Sequence, residues 1–362
     1  MRDNTAYTDN TPTPLGVQQL LQDRLPSAWR LTLLEIEPRR GPDAVLELLA
    51  PDGRRATLLL EIKSRLDPAD VPRLLDQAES WVSLGPTGET PASLLLAAPY
   101  LSERTRGRLQ QKDVNYIDPT GNVLLRLDNP AVFVSTQGAA RNPIKSSRPT
   151  RSLRGAKAAQ VVRTLVDIRP PLGVRQIADI ARTDPGNVSR LLELLEREAL
   201  IRRSPEGGVQ DVAWDELLEA WSRDYSLTRS NRVRLYLDAR GTNNFLRGLR
   251  TLPRNLRYAV TGSFAAARLA PVAPAKLAVA YVDDAAAAAD ELGLLPAESG
   301  ANVTLVEPRG EFPYERAVDD GDLVYVAPSQ AVVDLLTGPG RNPAEADELL
   351  SWMRRNEDVW RA

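Results

Sequence analysis

The sequence predicts a multidomain protein in which an α/β lobe is followed by α+β and α/β parts. Three observations lead there. The chain has 362 residues, more than one ordinary domain holds. Residues 15–137 read as helices and strands interspersed, the pattern of an α/β lobe. A Pro/Gly/Ser/Arg-rich stretch at 138–155 then separates that lobe from three short helices and a hairpin. The composition agrees: 43% hydrophobic, 26% charged, with 22 Gly and 28 Pro, the make-up of a soluble globular chain with linkers.

Residues 1–14 (MRDNTAYTDNTPTP) read as a disordered polar tail without the apolar core of a signal peptide. Residues 15–28 carry Val17, Leu20, Leu21 and Leu25 at helical spacing. Alternation over 30–38 and 43–51, and the apolar run 56–64, predict three strands, with turn residues at 51–55. A helix over 71–84, a buried strand over 92–100, a helix over 101–113 and strands around a Pro-Thr-Gly turn in 115–127 follow. The segment 130–136 ends the lobe.

Beyond the linker, helices are expected at 156–168, 173–181 and 185–200. Asp184 serves as N-cap of the third, and Pro185 stands at its first position. Two strand halves flank Pro-Glu-Gly-Gly in 201–214. This is the element order of a winged helix-turn-helix, assigned to 156–229. Residues 230–362 form the last domain. It has a strand, a Gly-Ser turn and a helix over 258–270, strands over 276–284 and 302–308, a strand followed by a helix over 323–341, and a final helix over 342–356.

Charge and composition limit the chemistry. No apolar run is long enough to span a membrane, so a cytoplasmic protein is expected. The chain has no Cys and no His. That excludes disulfides, thiolate or imidazole metal sites, and every catalytic triad built on His. The net charge of −2 hides an asymmetry. Residues 139–203 carry fourteen Lys or Arg against six Asp or Glu, whereas residues 265–362 carry eight against seventeen. A basic middle between acidic flanks suits a polyanionic partner, here double-stranded DNA.

In the first lobe, Pro42-Asp43 opens the second strand and Glu61-Ile62-Lys63 closes the third. Strand alternation puts Glu61 and Lys63 on one face, with Asp43 on the neighbouring strand. Asp43 and Glu61 are then hard oxygen ligands for Mg²⁺, and Lys63 orients or deprotonates an attacking water. The tripeptide alone is common; the apolar strand before it and the Pro-Asp on the preceding strand make the signal specific. Pro-Asp, seventeen residues, Glu-x-Lys, in this element order, resembles the PD-(D/E)XK superfamily of restriction-endonuclease-like fold. The resemblance implies Asp43, Glu61 and Lys63 as the catalytic set if the site is active. Many such sites hold a further acid on the first helix, where this chain offers only Asp23 and glutamines. Gln77 and Trp81 faintly resemble the Gln-x-x-x-Tyr element of RecB-like nucleases, although Trp81 is expected in the helix core.

In the second region, the third helix is expected to enter the major groove with Asn187, Ser189 and Arg190 facing the bases. Arg175 and Gln176 open the preceding helix toward phosphate, and Arg202 and Arg203 begin the wing. The pattern Gln176-Ile-Ala-Asp-Ile-Ala with Val188-Ser-Arg-Leu-Leu-Glu resembles MarR-type bacterial regulators, which implies DNA recognition and a homodimer. DNA binding itself needs no cofactor; Mg²⁺ enters only with an active nuclease-like site.

The C-terminal text Val260-Thr-Gly-Ser-Phe resembles the helix start of nucleotidyltransferase folds, but the next strand lacks the acid pair such enzymes need. Only Asp283 and Asp284 stand at its far end. The winged helix, with Tyr325-Val-Ala-Pro-Ser-Gln and the terminal Ala344-Glu-Ala-Asp-Glu-Leu-Leu, resembles the AbiEi family of type IV toxin–antitoxin antitoxins. That resemblance implies autorepression and a toxin partner at the C-terminal domain. The expectation is therefore a sequence-specific DNA-binding regulator or antitoxin-like factor, with a Mg²⁺-dependent endonuclease as the alternative.

Overall fold

A computed structural model describes residues 11–34, 41–84, 92–143 and 152–362. The chain is mixed α/β and divides into two compact units, residues 1–149 and 150–362. Among the described residues no helix is long and apolar enough to cross a membrane.

The first unit contains α1 (Pro14–Gln22), β1 (Arg30–Leu34), β2 (Ala44–Leu49), β3 (Arg55–Ile62), α2 (Val71–Leu84), β4 (Ala92–Ala97) and α3 (Glu103–Gln111). β5 (Asn115–Ile117), β6 (Val123–Asp128) and β7 (Ala131–Thr136) complete it. All seven strands join one sheet in sequence order. β1, β2 and β3 form an antiparallel meander, and β3, β4 and β5 run parallel. β6 and β7 return antiparallel. The parallel steps are where α2 and α3 intervene, as a crossover requires.

Alternation sorts the two faces. Leu46, Leu48, Leu58, Leu60 and Leu95 point to the face covered by Val17 and Leu21 of α1. Leu59 and Leu96 point to the other face, toward Leu74, Ala78 and Trp81 of α2 and Leu109 of α3. Each such Leu contributes about 1.5–3 kcal/mol on burial. The helix expected at 15–28 stops at Gln22, with Thr13 as its N-cap and Pro14 in the first turn. Its next turn unwinds because Gln22 turns back to the chain, donating to Trp29 O and accepting from Leu31 N–H. Most of the expected tail (1–10), residues 35–38 of the first strand and much of the linker (144–151) lie outside the described residues.

The second unit begins with α4 (Ala156–Asp167), α5 (Val174–Ile180), α6 (Pro185–Arg197) and the hairpin β8 (Ile201–Arg203) and β9 (Val209–Val212). Then come α7 (Trp214–Ser222), α8 (Leu227–Ser230), β10 (Arg232–Leu237), α9 (Thr242–Leu249), β11 (Tyr258–Thr261), α10 (Gly262–Ala267) and β12 (Ala278–Val282). α11 (Ala285–Leu292), β13 (Leu295–Pro296), β14 (Val303–Glu307), β15 (Val318–Asp319), β16 (Val324–Tyr325), α12 (Pro328–Leu336), α13 (Asn342–Arg355) and α14 (Glu357–Trp360) complete it.

Seven of these strands form a second sheet in the order β13-β10-β14-β12-β11-β16-β15. One face is covered by α9 and α11 through Phe245, Leu249 and Leu292. The other face shares a single apolar core with α4, α7 and α12, so residues 156–222 and the C-terminal sheet are not separated by a solvated seam.

Candidate functional sites

At the end of β3 the structure brings together the three residues singled out in the first lobe. The β2–β3 register pairs Ala44 with Leu60, so Asp43 and Glu61 are the next residues along the two strands. Asp43 Oδ2 accepts from Ile62 N–H at 2.7 Å, which fixes the carboxylate across the strand end. Lys63 Nζ donates to Glu61 Oε1 in a short ion pair. Glu61 is 4% exposed, Asp43 is exposed, and Lys63 is half-buried. Glu61 lies beside Leu96 of β4 on the α2 side, and Lys63 N–H continues the ladder to Ala97 O at 2.9 Å.

These donors suit one hard cation. One oxygen of each carboxylate is already engaged, and Mg²⁺ is commonly held by one or two carboxylates with water and phosphate completing the shell. Among the described residues no cluster of three or more acids gathers here. Asp23 is not a third ligand, because it caps α1 on the opposite face of the sheet. Trp81 packs on Leu59 and Ala78 in the core, and Gln77 is on the exposed side of α2.

The second candidate surface is built on α6. Its N-cap is Asp184, which accepts from Asn187 N–H at 2.8 Å, and Pro185 occupies the first turn, as expected from sequence. Val188, Leu191, Leu192 and Leu195 bury the inward face. Asn187 and Ser189 are partly exposed and Arg190 is exposed on the outward face. Arg190 Nη2 donates to Asn187 Oδ1 at 2.5 Å and its Nε to Gly186 O at 3.0 Å, while Asn187 Nδ2 reaches Asp184. Two of the three residues expected to face the bases, Asn187 and Arg190, thus hold each other at the helix start.

Arg175 and Gln176 are exposed at the start of α5, where Gln176 accepts from Gly173 N–H at 3.4 Å. The two arginines of the hairpin differ. Arg202 stays at the surface, 72% exposed and 4.0 Å from Asp211. Arg203 folds back, donating to Gly207 O at 3.0 Å and lying 3.5 Å from Glu196 of α6. Gly207 has φ +90°, a backbone that favours glycine at this tight turn.

The charge excess proves to be unevenly shared. Five of the fourteen basic residues, Arg141, Lys145, Arg148, Arg151 and Arg154, precede α4. From 156 to 212 the count is nine basic against eight acidic residues. The cationic footprint therefore belongs mainly to the segment leading into the helices rather than to α6 itself.

A third polar constellation lies buried in the second unit. Arg163, 1% exposed, uses all five of its N–H donors. Nε and Nη2 bond Asp167 Oδ2 at 3.0 and 2.8 Å. Nη1 reaches Phe312 O and Gln330 Oε1, and Nη2 also reaches Glu315 O. Ser329 Oγ donates to the other oxygen of Asp167 at 2.5 Å. From Gln330 the network passes to Asp334, which accepts from Gln330 Nε2 (2.9 Å), Thr261 Oγ1 (2.6 Å) and Tyr281 Oη (2.9 Å), with Tyr225 Oη at 3.0 Å.

Burial pushes the Asp334 carboxyl up to about 6, against the hydrogen bonds from Thr261, Tyr281, Gln330 and Tyr225 that hold it down. Burial and the nearby Asp334 carboxyl raise the Tyr225 and Tyr281 phenols well above their ordinary range. This network ties α4 to α12 and the second sheet. A sequence signal existed in Arg163 and Asp167, opposite charges at i,i+4 inside an otherwise apolar helix. Further along, Asp283 pairs with Arg257 at 3.0 Å and Asp284 caps α11.

Comparison with protein-family models, curated proteins and solved structures finds no match.

Proposed function

We propose that the chain is a sequence-specific double-stranded DNA-binding protein, a transcription regulator or antitoxin-like factor of the cytoplasm. In this reading α4, α5, α6 and the β8–β9 hairpin are a winged helix-turn-helix. The observation that carries it is the construction of α6. One face is sealed by Val188, Leu191, Leu192 and Leu195, and the other presents Asn187, Ser189 and Arg190 from a capped first turn. Asn pairs bidentately with adenine and Arg with guanine in the major groove. Phosphate contact comes from Arg175, Gln176 and Arg202 and from the basic segment before α4. Selection of duplexes from a random pool tests the reading. A consensus site should emerge, and Arg190→Ala should relax one position of it at a cost of about 1–3 kcal/mol. No retention of any duplex at low salt would overturn it.

A second reading, a Mg²⁺-dependent endonuclease of the PD-(D/E)XK type, is favoured by one specific observation. Asp43, Glu61 and Lys63 converge at adjoining strand ends. Asp43 and Glu61 would hold Mg²⁺ in this reading, and the ion, when bound, would supply Lewis-acid polarisation. Lys63 would orient an attacking water and offset developing negative charge on the phosphate. Supercoiled DNA incubated with Mg²⁺ or Mn²⁺ should be nicked, and Glu61→Ala and Lys63→Ala should abolish nicking while duplex binding persists. Intact plasmid under both metals removes this reading.

A further inference from the structure

The first sheet ends in a strand whose outer edge is built to receive another. β7 (Ala131–Thr136) pairs through all six residues with β6, and among the described residues no other strand pairs with it. Exposed strand edges normally carry a blunting device such as a charge, a proline or a very short length. The other three edges of the two seven-stranded sheets each have one. β1 carries Arg30; β13 is two residues long and includes Pro296; β15 is two residues long and includes Asp319. β7 reads Ala-Val-Phe-Val-Ser-Thr, with no charge and no proline. At its centre Phe133 is 67% exposed, the most exposed aromatic among the exposed large hydrophobic residues.

We infer that β7 is the homodimer interface, pairing antiparallel with β7 of a second copy about a two-fold axis at Phe133. The occupant follows from the strand's own symmetry. A two-fold contact must be self-complementary, each residue meeting its mirror position. Centred on Phe133, antiparallel self-pairing sets Val132 against Val134 of the other copy, Ala131 against Ser135, and Phe133 against itself. Medium meets medium, small meets small, and the two aromatic rings meet as a cross-strand pair, a favoured combination. Val132 and Val134 already pack on the rim of the α1-side core. Pairing therefore runs that core from one copy into the next, and the backbone groups of both edges gain partners. The opposite face, Ala131, Phe133 and Ser135, is exposed and carries no charge along the strand.

The inference does not rest on DNA reading, so its failure leaves the recognition helix untouched. The chain has no Cys, so one introduced thiol reports contact between copies alone. Opposed residues in an antiparallel pair have Cβ atoms about 4.5–5.5 Å apart, near enough for a disulfide after small adjustment. Full-length protein should sediment as two chains. Phe133→Arg with Ser135→Arg, both at exposed positions, should reduce the mass to one chain while leaving the circular dichroism unchanged. Phe133→Cys should cross-link on mild oxidation, and Val359→Cys, 74% exposed, should not. A wild-type monomer, a dimer that survives the double substitution, or equal cross-linking of the two cysteine variants overturns the proposal.

Discussion

Two polar constellations, one in each unit, handle buried charge in opposite ways. In the first, the polar residues of interest sit where strands end. Glu61 is sequestered but its partner Lys63 is half-exposed and Asp43 is open to solvent. In the second, Arg163, Asp167 and Asp334 are sealed in the core, with protein donors and acceptors on every side. The difference separates chemistry from architecture. A carboxylate that keeps an oxygen and a route to solvent can exchange its partner for a cation or a phosphate. A guanidinium whose five donors are already used can only hold elements together.

The largest effect should come from the sealed side. Arg163→Ala leaves Asp167 buried with Ser329 as its remaining side-chain partner and takes a donor from Phe312 O, Gln330 Oε1 and Glu315 O. Breaking a buried pair in this way costs about 3–5 kcal/mol. Denaturant unfolding should show the second unit losing stability and the first keeping its midpoint. A loss below about 1 kcal/mol would mean that water replaces the guanidinium and that the site is not sealed.

Asp334 gives the next effect, with a definite sign. Its carboxyl ionises near 3.8 when unfolded and near 6 when folded, so between those values the folded chain binds more protons. Stability therefore falls as pH rises through this window, by up to about 3 kcal/mol over the two-unit gap. Below the window the stabilisation is fully present. Asp334→Asn cannot ionise and should flatten that part of the stability–pH curve. A wild-type curve that rises from pH 4 to 6 at this site would show that the donors around Asp334 outweigh its desolvation.

On the exposed side the corresponding loss is smaller. Lys63→Ala leaves the Glu61 carboxylate without its charged donor at the edge of the core, which costs about 1–3 kcal/mol. Glu61→Gln with Lys63→Ala together should recover part of that, because the uncompensated charge is gone. A double-mutant cycle measures the coupling, and a coupling of zero would make the pair incidental.

What could be read from the sequence follows the range of the interactions. Asp43, Glu61 and Lys63 were legible because two adjacent strands joined by a five-residue turn have a register that alternation nearly dictates. Asp184 and Pro185 were legible because a cap is local chemistry. The Arg163–Asp334 network was not, since Asp167 meets Ser329 and Tyr225 meets Asp334 across more than a hundred residues. The same distance hides the core shared by α4, α7 and α12, which makes residues 150–362 one compact unit where the sequence suggested a seam near 230. Charge counting also misled locally, because a window average cannot distinguish a basic approach segment from a basic helix.

The smallest effect tests the contrast inside a single hairpin, where two neighbouring arginines fall on opposite sides of it. Arg202 is 72% exposed and Arg203 is 19% exposed, its guanidinium turned onto Gly207 O and Glu196. Alternation along β8 forces the split, because successive side chains must point to opposite faces. Arg203→Ala should therefore cost about 1 kcal/mol of stability and leave the salt dependence of duplex binding unchanged. Arg202→Ala should leave stability within about 0.5 kcal/mol and lower the slope of log affinity against log salt by about 1. Thermal unfolding and salt titrations on the same two variants decide it. If both change the slope equally, the hairpin meets DNA through its turn, and Arg203 must leave Glu196 to do so.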